Sequence, residues 1–310
     1  TADFEYELTS DGKFTATPIY RAIDTVKISP QRNVFTEQAD VAFAIPTQQT
    51  DDIEFRYTLD GSDPTLESAI YTSPFTIKED TYVKVRPFRK GLTKTPFNIP
   101  GENAGKTVGA IFRKEQYRPA LKVAATEPGL SYEYFEAPWP TLFAHAAIPG
   151  VLTPKGQGKV AALMDENDLK TTRSTDKAYA IRYNGYIQLP KKGVYSLYAP
   201  EHLYSPTMDA GYDLRLWIDG EEWFPSPMLH SENIWHIALD AGLHRLDVSY
   251  VDFRWKEFKN EYWMDWQERE IWSGIPKLEL EGPGISRRSI PSSWLFRDLR
   301  PVIKSNLESK

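Results

Sequence analysis

Four of the nine tryptophans fall in the 18 residues from Trp255 to Trp272, within the run Trp255-Lys-Glu-Phe-Lys-Asn-Glu-Tyr-Trp-Met-Asp-Trp266 and its extension. Flat rings beside hydrogen-bonding groups suit one chemistry in particular. They cover the C–H face of a pyranose while their neighbours bond its hydroxyls, each buried ring contributing roughly 1–2 kcal/mol from its apolar area. Trp255, Phe258, Tyr262 and Trp266 are spaced three, four and four apart, so a helix would align them on one stripe. Lys256, Glu257, Glu261, Asp265, Glu268 and Glu270 would then occupy the other faces, with Asp265 four residues before Arg269. Two further readings stay open. The stripe can glue an inserted helix to its own domain, or the run can form a long hairpin with Lys259-Asn260 at its tip. Trp255, Tyr262 and Trp266 are the candidate carbohydrate contacts here, and Trp217, Trp223 and Trp235 form a looser second set.

Other chemistries lack their residues. The five histidines (His145, His202, His230, His236, His244) show no His-x-x-x-His or Glu-x-x-His spacing, which removes the usual helical metal motifs. There is no cysteine, and hence no disulfide, thiol nucleophile or thiolate-bound zinc. No nucleophile elbow, P-loop or dinucleotide fingerprint occurs. With 43 carboxylates, some pairs must fall at glycosidase separation by chance, so a count of them selects nothing. Asp60 and Asp63, in Asp60-Gly-Ser-Asp-Pro-Thr65, invite a calcium reading. An ion of that kind takes six or more oxygens, so both are expected instead to accept backbone N–H bonds in an Asx-turn.

The elements that must carry these side chains read as strands. The chain is long enough, at 310 residues, for two domains of about 100–150 residues or two and a fragment. Twenty-three prolines and 17 tyrosines favour a loop-rich, all-β build. A net charge of -6 argues against nucleic acid and against an anionic membrane surface as partner. No apolar run approaches the ~18–20 residues of a membrane span. The opening Thr1-Ala-Asp-Phe-Glu5 has no basic or apolar leader region, so any signal peptide is expected to have been removed or to lie outside this sequence.

Along the chain, Phe4/Tyr6/Leu8 and Phe14/Ala16 flank Ser10-Asp11-Gly12 and predict a hairpin within 1–25. Strands are predicted at 41–45, 53–59, 69–71, 75–77, 81–88 and 107–112, with a loop at 98–105. From Ala178 to Tyr198, two alternating runs around Pro190-Lys-Lys-Gly193 read as antiparallel strands. Leu214, Leu216 and Ile218 share one strand face, Asp213, Arg215 and Trp217 the other, and Asp219-Gly220 supplies the two positive-φ positions of a tight hairpin. His244, Leu246, Val248 and Tyr250 share a face of a later strand, and a short helical turn is expected within 160–170.

Two stretches also resemble known modules. Arg56-Tyr-Thr-Leu-Asp-Gly-Ser-Asp-Pro-Thr65, with Ser68, Tyr71, Pro74-Phe75 and Val83-Lys-Val85, resembles the small C-terminal sandwich of chitobiase and β-hexosaminidase-type enzymes. Arg182-Tyr-Asn-Gly-Tyr-Ile187, Leu189-Pro-Lys-Lys-Gly-Val-Tyr195, Asp209-Ala-Gly211 and Arg215-Leu-Trp-Ile-Asp-Gly220 resemble a PA14 domain. The resemblances imply an all-β chain: an immunoglobulin-like β-sandwich followed by a PA14-like β-barrel. The expected division is 1–25 as hairpin or remnant of an upstream domain, 26–118 as sandwich and 119–127 as linker. The barrel follows over 128–297, opening on a strand at 129–135 and carrying an aromatic insertion at 255–272, with a polar tail at 298–310.

Sugar-binding PA14 domains hold calcium on an Asp-Asp pair before the Arg-Leu-Trp-Ile-like strand, so the resemblance implies calcium at Asp209 and Asp213. The second aspartate of that motif is replaced here, in Asp209-Ala210-Gly211, which puts the ion in doubt and leaves Asp209 as a turn cap on the other reading. The implied function is a non-catalytic accessory region of a bacterial, secreted, periplasmic or surface glycan-degrading enzyme, with a catalytic domain in the same polypeptide or a partner chain. The alternatives are a structural spacer that braces a catalytic domain, and part of a hexosaminidase-like glycoside hydrolase. The candidate carbohydrate contacts are Asp209, Asp213, Trp217, Trp223, Trp255, Tyr262 and Trp266, and the partner is a glycan or polysaccharide.

Overall fold

In the computed structural model, the residues described are 3–19, 22–47, 50–91, 104–163, 178–199, 212–223, 233–252 and 278–299. The chain divides into two units, Thr1–Gln116 and Tyr117–Lys310. Nearly every regular element in both is a strand. No helix among the described residues is long and apolar enough to cross a membrane.

The first unit opens with the hairpin β1 (Asp3–Leu8) and β2 (Phe14–Ile19), closed by Gly12 at φ 79°. There follow β3 (Lys27–Ser29), β4 (Val34–Phe35), β5 (Ala39–Ala44), β6 (Ile53–Thr58) and β7 (Ala69–Ile70). The last three are β8 (Phe75–Ile77), β9 (Thr81–Arg89) and β10 (Val108–Lys114). They form a five-stranded sheet in the order β4-β10-β9-β6-β7 and a three-stranded sheet β3-β5-β8. Between the sheets lie the inward residues of each alternation, Val41 and Phe43 on β5, Val83 and Val85 on β9, and Phe112 on β10. Phe43, Tyr57, Tyr71 and Phe75 pack as an aromatic cluster, with the Tyr57 and Phe75 rings stacked 4.9 Å apart. The decapeptide at 56–65 builds one Asx-turn, not two. Asp60 Oδ1 accepts from the Ser62 N–H at 2.9 Å, whereas Asp63 reaches out to Lys84 Nζ at 2.8 Å.

The second unit contains β11 (Thr126–Pro128), β12 (Leu130–Glu136), α1 (Trp139–His145), β13 (Gly156–Val160), β14 (Tyr179–Leu189) and β15 (Gly193–Ala199). Next come β16 (Tyr212–Ile218), β17 (Glu221–Trp223), β18 (Asn233–Leu239) and β19 (Gly242–Asp252). β20 (Glu279–Gly282), β21 (Ile285–Ser289) and β22 (Leu295–Asp298) complete it. Eight strands make one sheet along the path β11-β22-β14-β19-β16-β17, with β12 joining β14 and carrying β13. The other sheet is β18-β15-β20-β21. One core lies between them, from Tyr183, Ile187, Leu216, Val248 and Tyr250 on the large sheet to Tyr195, Leu197, Ile237 and Leu280 on the small one.

Two sequence expectations change here. β14 and β15 flank the Pro190–Gly193 turn as predicted but do not pair with each other. β14 pairs with β19, β12 and β22, and β15 with β18 and β20. The turn therefore carries the chain from one sheet to the other, which lets both runs put their apolar faces into one core. Asp298, expected to begin a loose tail, is the last residue of β22 and pairs with Thr126.

β14 is the spine of the large sheet, paired with β19 from Tyr179↔Asp252 to Leu189↔Gly242. Its other edge is shared, first by β12 and then by β22, and Gly185 sits at the seam. A Cβ there would overlap the Phe296 carbonyl oxygen and stand 2.6 Å from Leu130 Cδ2, so only glycine lets the two strands meet. On the outer side of this sheet, α1 lays Leu142 and Ala146 against Phe135, Ala180 and Val251. The sequence signal for this helix is the four-residue spacing of that pair behind prolines in the first turn. At 160–163 the chain ends β13 and turns, and the rest of the helical turn expected within 160–170 lies outside the described residues.

Candidate functional site

The period of two along each strand sorts the outer face of the large sheet into transverse rows. The row Asp213–Val251–Ala180–Phe135 runs across β16, β19, β14 and β12 and includes the residues that α1 covers. The next is Arg215–Ser249–Arg182–Glu133, and the one after it Trp217–Asp247–Asn184–Ser131. Arg245, Tyr186 and Phe296 form a fourth row on β19, β14 and β22. Past the helix, then, the sheet presents a polar face in which Trp217 is half-buried.

The side chains of this face are tied to one another. Arg245 grips Asp247 with two bonds of 2.9 and 2.8 Å and lies over the Tyr186 ring, 5.5 Å from its centroid. The Asp247 bond raises the Arg245 pKa further, which keeps it a cation throughout. Tyr186 donates to Asp298 at 3.0 Å, and burial together with that carboxylate pushes its phenol pKa up. Arg182 donates to Glu133 and spans the Phe135 ring at 5.6 Å. Between the two arginines of its row, the buried Ser249 hydroxyl has no hydrogen-bond partner among the described residues. Such an array holds donors and acceptors in fixed directions, which is what recognising hydroxyl groups beside a ring demands.

The sequence-predicted site residues separate. Asp213 is buried in the row beside α1, and its carboxylate accepts from Arg215 Nε at 3.2 Å. Burial raises its pKa, which the Arg215 charge partly offsets. Among the described residues, no group of three or more histidine or acidic side chains converges as a metal site. Asp213 supplies one carboxylate, already engaged by Arg215, and the other residue implied for calcium, Asp209, lies outside the described residues. Trp217 faces outward and is placed opposite Asp247 and Glu222. Trp223 faces the other way, against the core, and its ring stacks 5.9 Å from that of Trp235. The two indoles join the β17 edge of the large sheet to the β18 edge of the small one. Trp217 and Trp223 therefore do not share a site. Asp209, Trp255, Tyr262 and Trp266 lie outside the described residues.

Sequence reasoning passed over Asn184, Tyr186, Arg245 and Asp247. Their signal was the polar half of alternations whose apolar half had been read, Arg182/Asn184/Tyr186 and Arg245/Asp247/Ser249. Only the strand register brings those halves alongside Trp217.

A family model described as Fn3 associated matches residues 44–97, inside the first unit. No curated protein matches the chain. Among solved structures, an anti-sigma factor domain-containing protein from Clostridium clariflavum is 17% identical, with 86% of this chain and 82% of that one covered, at a TM-score of 0.34. The PA14 domain of the MpAFP antifreeze protein is 14% identical over 57% of this chain and 94% of that chain, with a TM-score of 0.34. A PA14 sugar-binding domain from an RTX adhesin is 13% identical over 55% and 99%, with a TM-score of 0.32.

Proposed function

We propose that this chain is a non-catalytic, carbohydrate-binding accessory region, and that its second unit binds the glycan on the outer face of the large sheet. One observation carries the reading: Trp217 stands in a row with Asp247 and Asn184, half-exposed on a sheet face that also holds the Arg245–Asp247 and Arg182–Glu133 pairs. The indole offers a face to sugar C–H groups, and the carboxylate and amide lie one and two strands away to bond hydroxyls. Affinity comes from the ring and the polar row. Calcium at Asp209 and Asp213, and ring contacts from Trp255, Tyr262 and Trp266, are the rival sequence-based candidates: loss of binding in chelator would favour the first and loss in Trp266→Ala the second, while Trp223 is already stacked on Trp235 against the core. The context remains that of the sequence reading, a secreted, periplasmic or surface protein attached to glycan-degrading machinery, with the first unit as its chitobiase-type module. Tethering of this sort raises local substrate concentration without tight contacts.

The test is a glycan array probed with the full chain, in calcium and in chelator, beside Trp217→Ala, Trp223→Ala and Trp266→Ala. Loss of binding in Trp217→Ala alone, insensitive to chelator, is the expected result. Unchanged binding in Trp217→Ala removes the sheet face from consideration. A second reading, as a brace for a catalytic domain, is favoured by the exposed Phe143, Ile148 and Val151 in and after α1. It gains if the array stays blank under both conditions.

A further inference from the structure

The first unit carries an aromatic ring of its own, on the outer face of the five-stranded sheet. Tyr82 on β9 is exposed there, and its ring spans two glycines. A Cβ at Gly61 would overlap the ring carbons, and one at Gly109 would stand 3.0 Å from Cε2. Gly61 also has φ +81°, a conformation that side chains resist, and its N–H donates to the Tyr82 carbonyl at 3.0 Å. With backbone rather than side chains at both positions, the ring packs down close to the two glycines while much of it stays exposed. Beside it stand one apolar and two polar flanks. Ile111, exposed, is directly opposite in register. Lys84 Nζ lies over part of the ring, 5.4 Å from its centroid, and is paired with Asp63, so a stacking sugar shares the ring with this cation; the Asp60 carboxylate accepts from the Ser62 hydroxyl at 2.6 Å.

We infer that Tyr82 is a second carbohydrate platform, on which one pyranose of a glycan stacks while its rim hydroxyls meet Lys84 and Asp63. The inference shares its ligand class with the reading of the second unit but stands on other residues. A peptide strand is the weaker fit. β9 is paired on both edges, by β10 and by β6, so it has no free backbone for strand addition. What it offers instead is an exposed ring with ionic groups beside it, and that arrangement suits a sugar.

The experiment uses the full chain with 13C-labelled tyrosine rings, followed by NMR. Cellohexaose, chitohexaose, xylohexaose and mannohexaose are added in turn to about 10 mM, the range in which single-ring sites bind. One of these sugars is expected to move the Tyr82 ring signals in both the parent and Trp217→Ala. Measured by calorimetry in the Trp217→Ala background, which removes the second unit's site, Tyr82→Ala is expected to bind it at least about tenfold more weakly, and Tyr82→Phe within about twofold, because stacking uses the ring and not the hydroxyl. Gly109→Ala, which shifts the ring by only a few tenths of an ångström, is expected to weaken binding less than Tyr82→Ala. Thermal unfolding of each variant excludes a folding defect. The inference is overturned if no sugar moves the Tyr82 signals, if Tyr82→Ala in that background binds like Trp217→Ala alone, or if a proline-rich peptide alone moves them. Loss in Trp217→Ala with retained Tyr82 response separates failure here from failure of the sheet-face reading.

Discussion

Replacing His244 by leucine is expected to remove most of the second unit's pH dependence above neutrality. His244 is fully buried on β19, with Nε2 3.0 Å from the Asp240 carbonyl oxygen and Nδ1 2.7 Å from Asp219 Oδ2. A carbonyl only accepts, so Nε2 carries a proton. A neutral ring would then turn a bare Nδ1 toward a carboxylate, which is repulsive, so the native ring is an imidazolium. Burial works to lower its pKa, but the bonds to Asp219 and Asp240 outweigh burial and the pKa is raised. The sign follows. The charge contributes fully below the unfolded pKa of about 6.5, and its contribution is lost as pH rises through the higher folded value. Within that window the native state holds up to one extra proton, and stability falls by up to about 1.4 kcal/mol per pH unit. Asp219 sits at φ 50° in the β16–β17 turn and keeps a 2.8 Å bond from the Arg245 N–H. Losing only one of its partners, His244→Leu is expected to cost about 3 kcal/mol at pH 6, the low end for a broken buried pair. Urea unfolding followed by tryptophan fluorescence from pH 6 to about 9 reads both the loss and the slope. A parental slope that survives in His244→Leu would refute the assignment, as would an NMR titration in which Nδ1 is unprotonated at pH 6.

Gly185→Ala is expected to destabilise the second unit by about 3 kcal/mol, because the new Cβ meets a backbone oxygen that side-chain motion cannot clear; an unchanged melting temperature would show that β12 and β22 can part. Ser249→Ala is expected to be neutral or to stabilise by up to about 1 kcal/mol, since it deletes a buried hydroxyl with no partner among the described residues; a clear loss in urea unfolding would mean that the hydroxyl is bonded in solution. Leu142→Ala is expected to cost about 2–5 kcal/mol, since the side chain is fully buried against Phe135, Ala180 and Val251. A cost below about 1 kcal/mol would show that α1 does not hold the sheet's outer face.

Strands were legible where the alternation is regular, but β13 and β18 were not predicted, although Ile237 and Leu239 of β18 lie in the core. Leu214/Leu216/Ile218 and His244/Leu246/Val248/Tyr250 do face the core, and Asp219-Gly220 does turn with φ 50° and 83°. Pairing was less legible, because alternation fixes which way a side chain points without naming its neighbour strand. That is why β14 and β15, either side of one short turn, were read together yet serve different sheets. The helix α1 escaped because its buried pair, Leu142 and Ala146, lies in a run whose apolar residues show no single stripe and whose Pro138, Pro140 and Pro149 carry as much loop character as helix.

The candidate site fails to show in the sequence for a related reason. Trp217 was legible as an outward residue, but a ring becomes a platform only through what register sets beside it. Asp247 is 30 positions away and Asn184 33 in the opposite direction, and no local pattern links them. Trp223 makes the converse point. Six residues from Trp217 along the chain, it lies beyond a hairpin turn that pairs it with Leu216, and so it enters the core face and stacks on Trp235. Proximity in sequence grouped two indoles that the pleat separates, while the turn that separates them also brings Glu222 opposite Trp217. A site made of such rows is a property of strand pairing, so changing the register of β16 by one residue would move Trp217 into the core and erase the site without altering its composition.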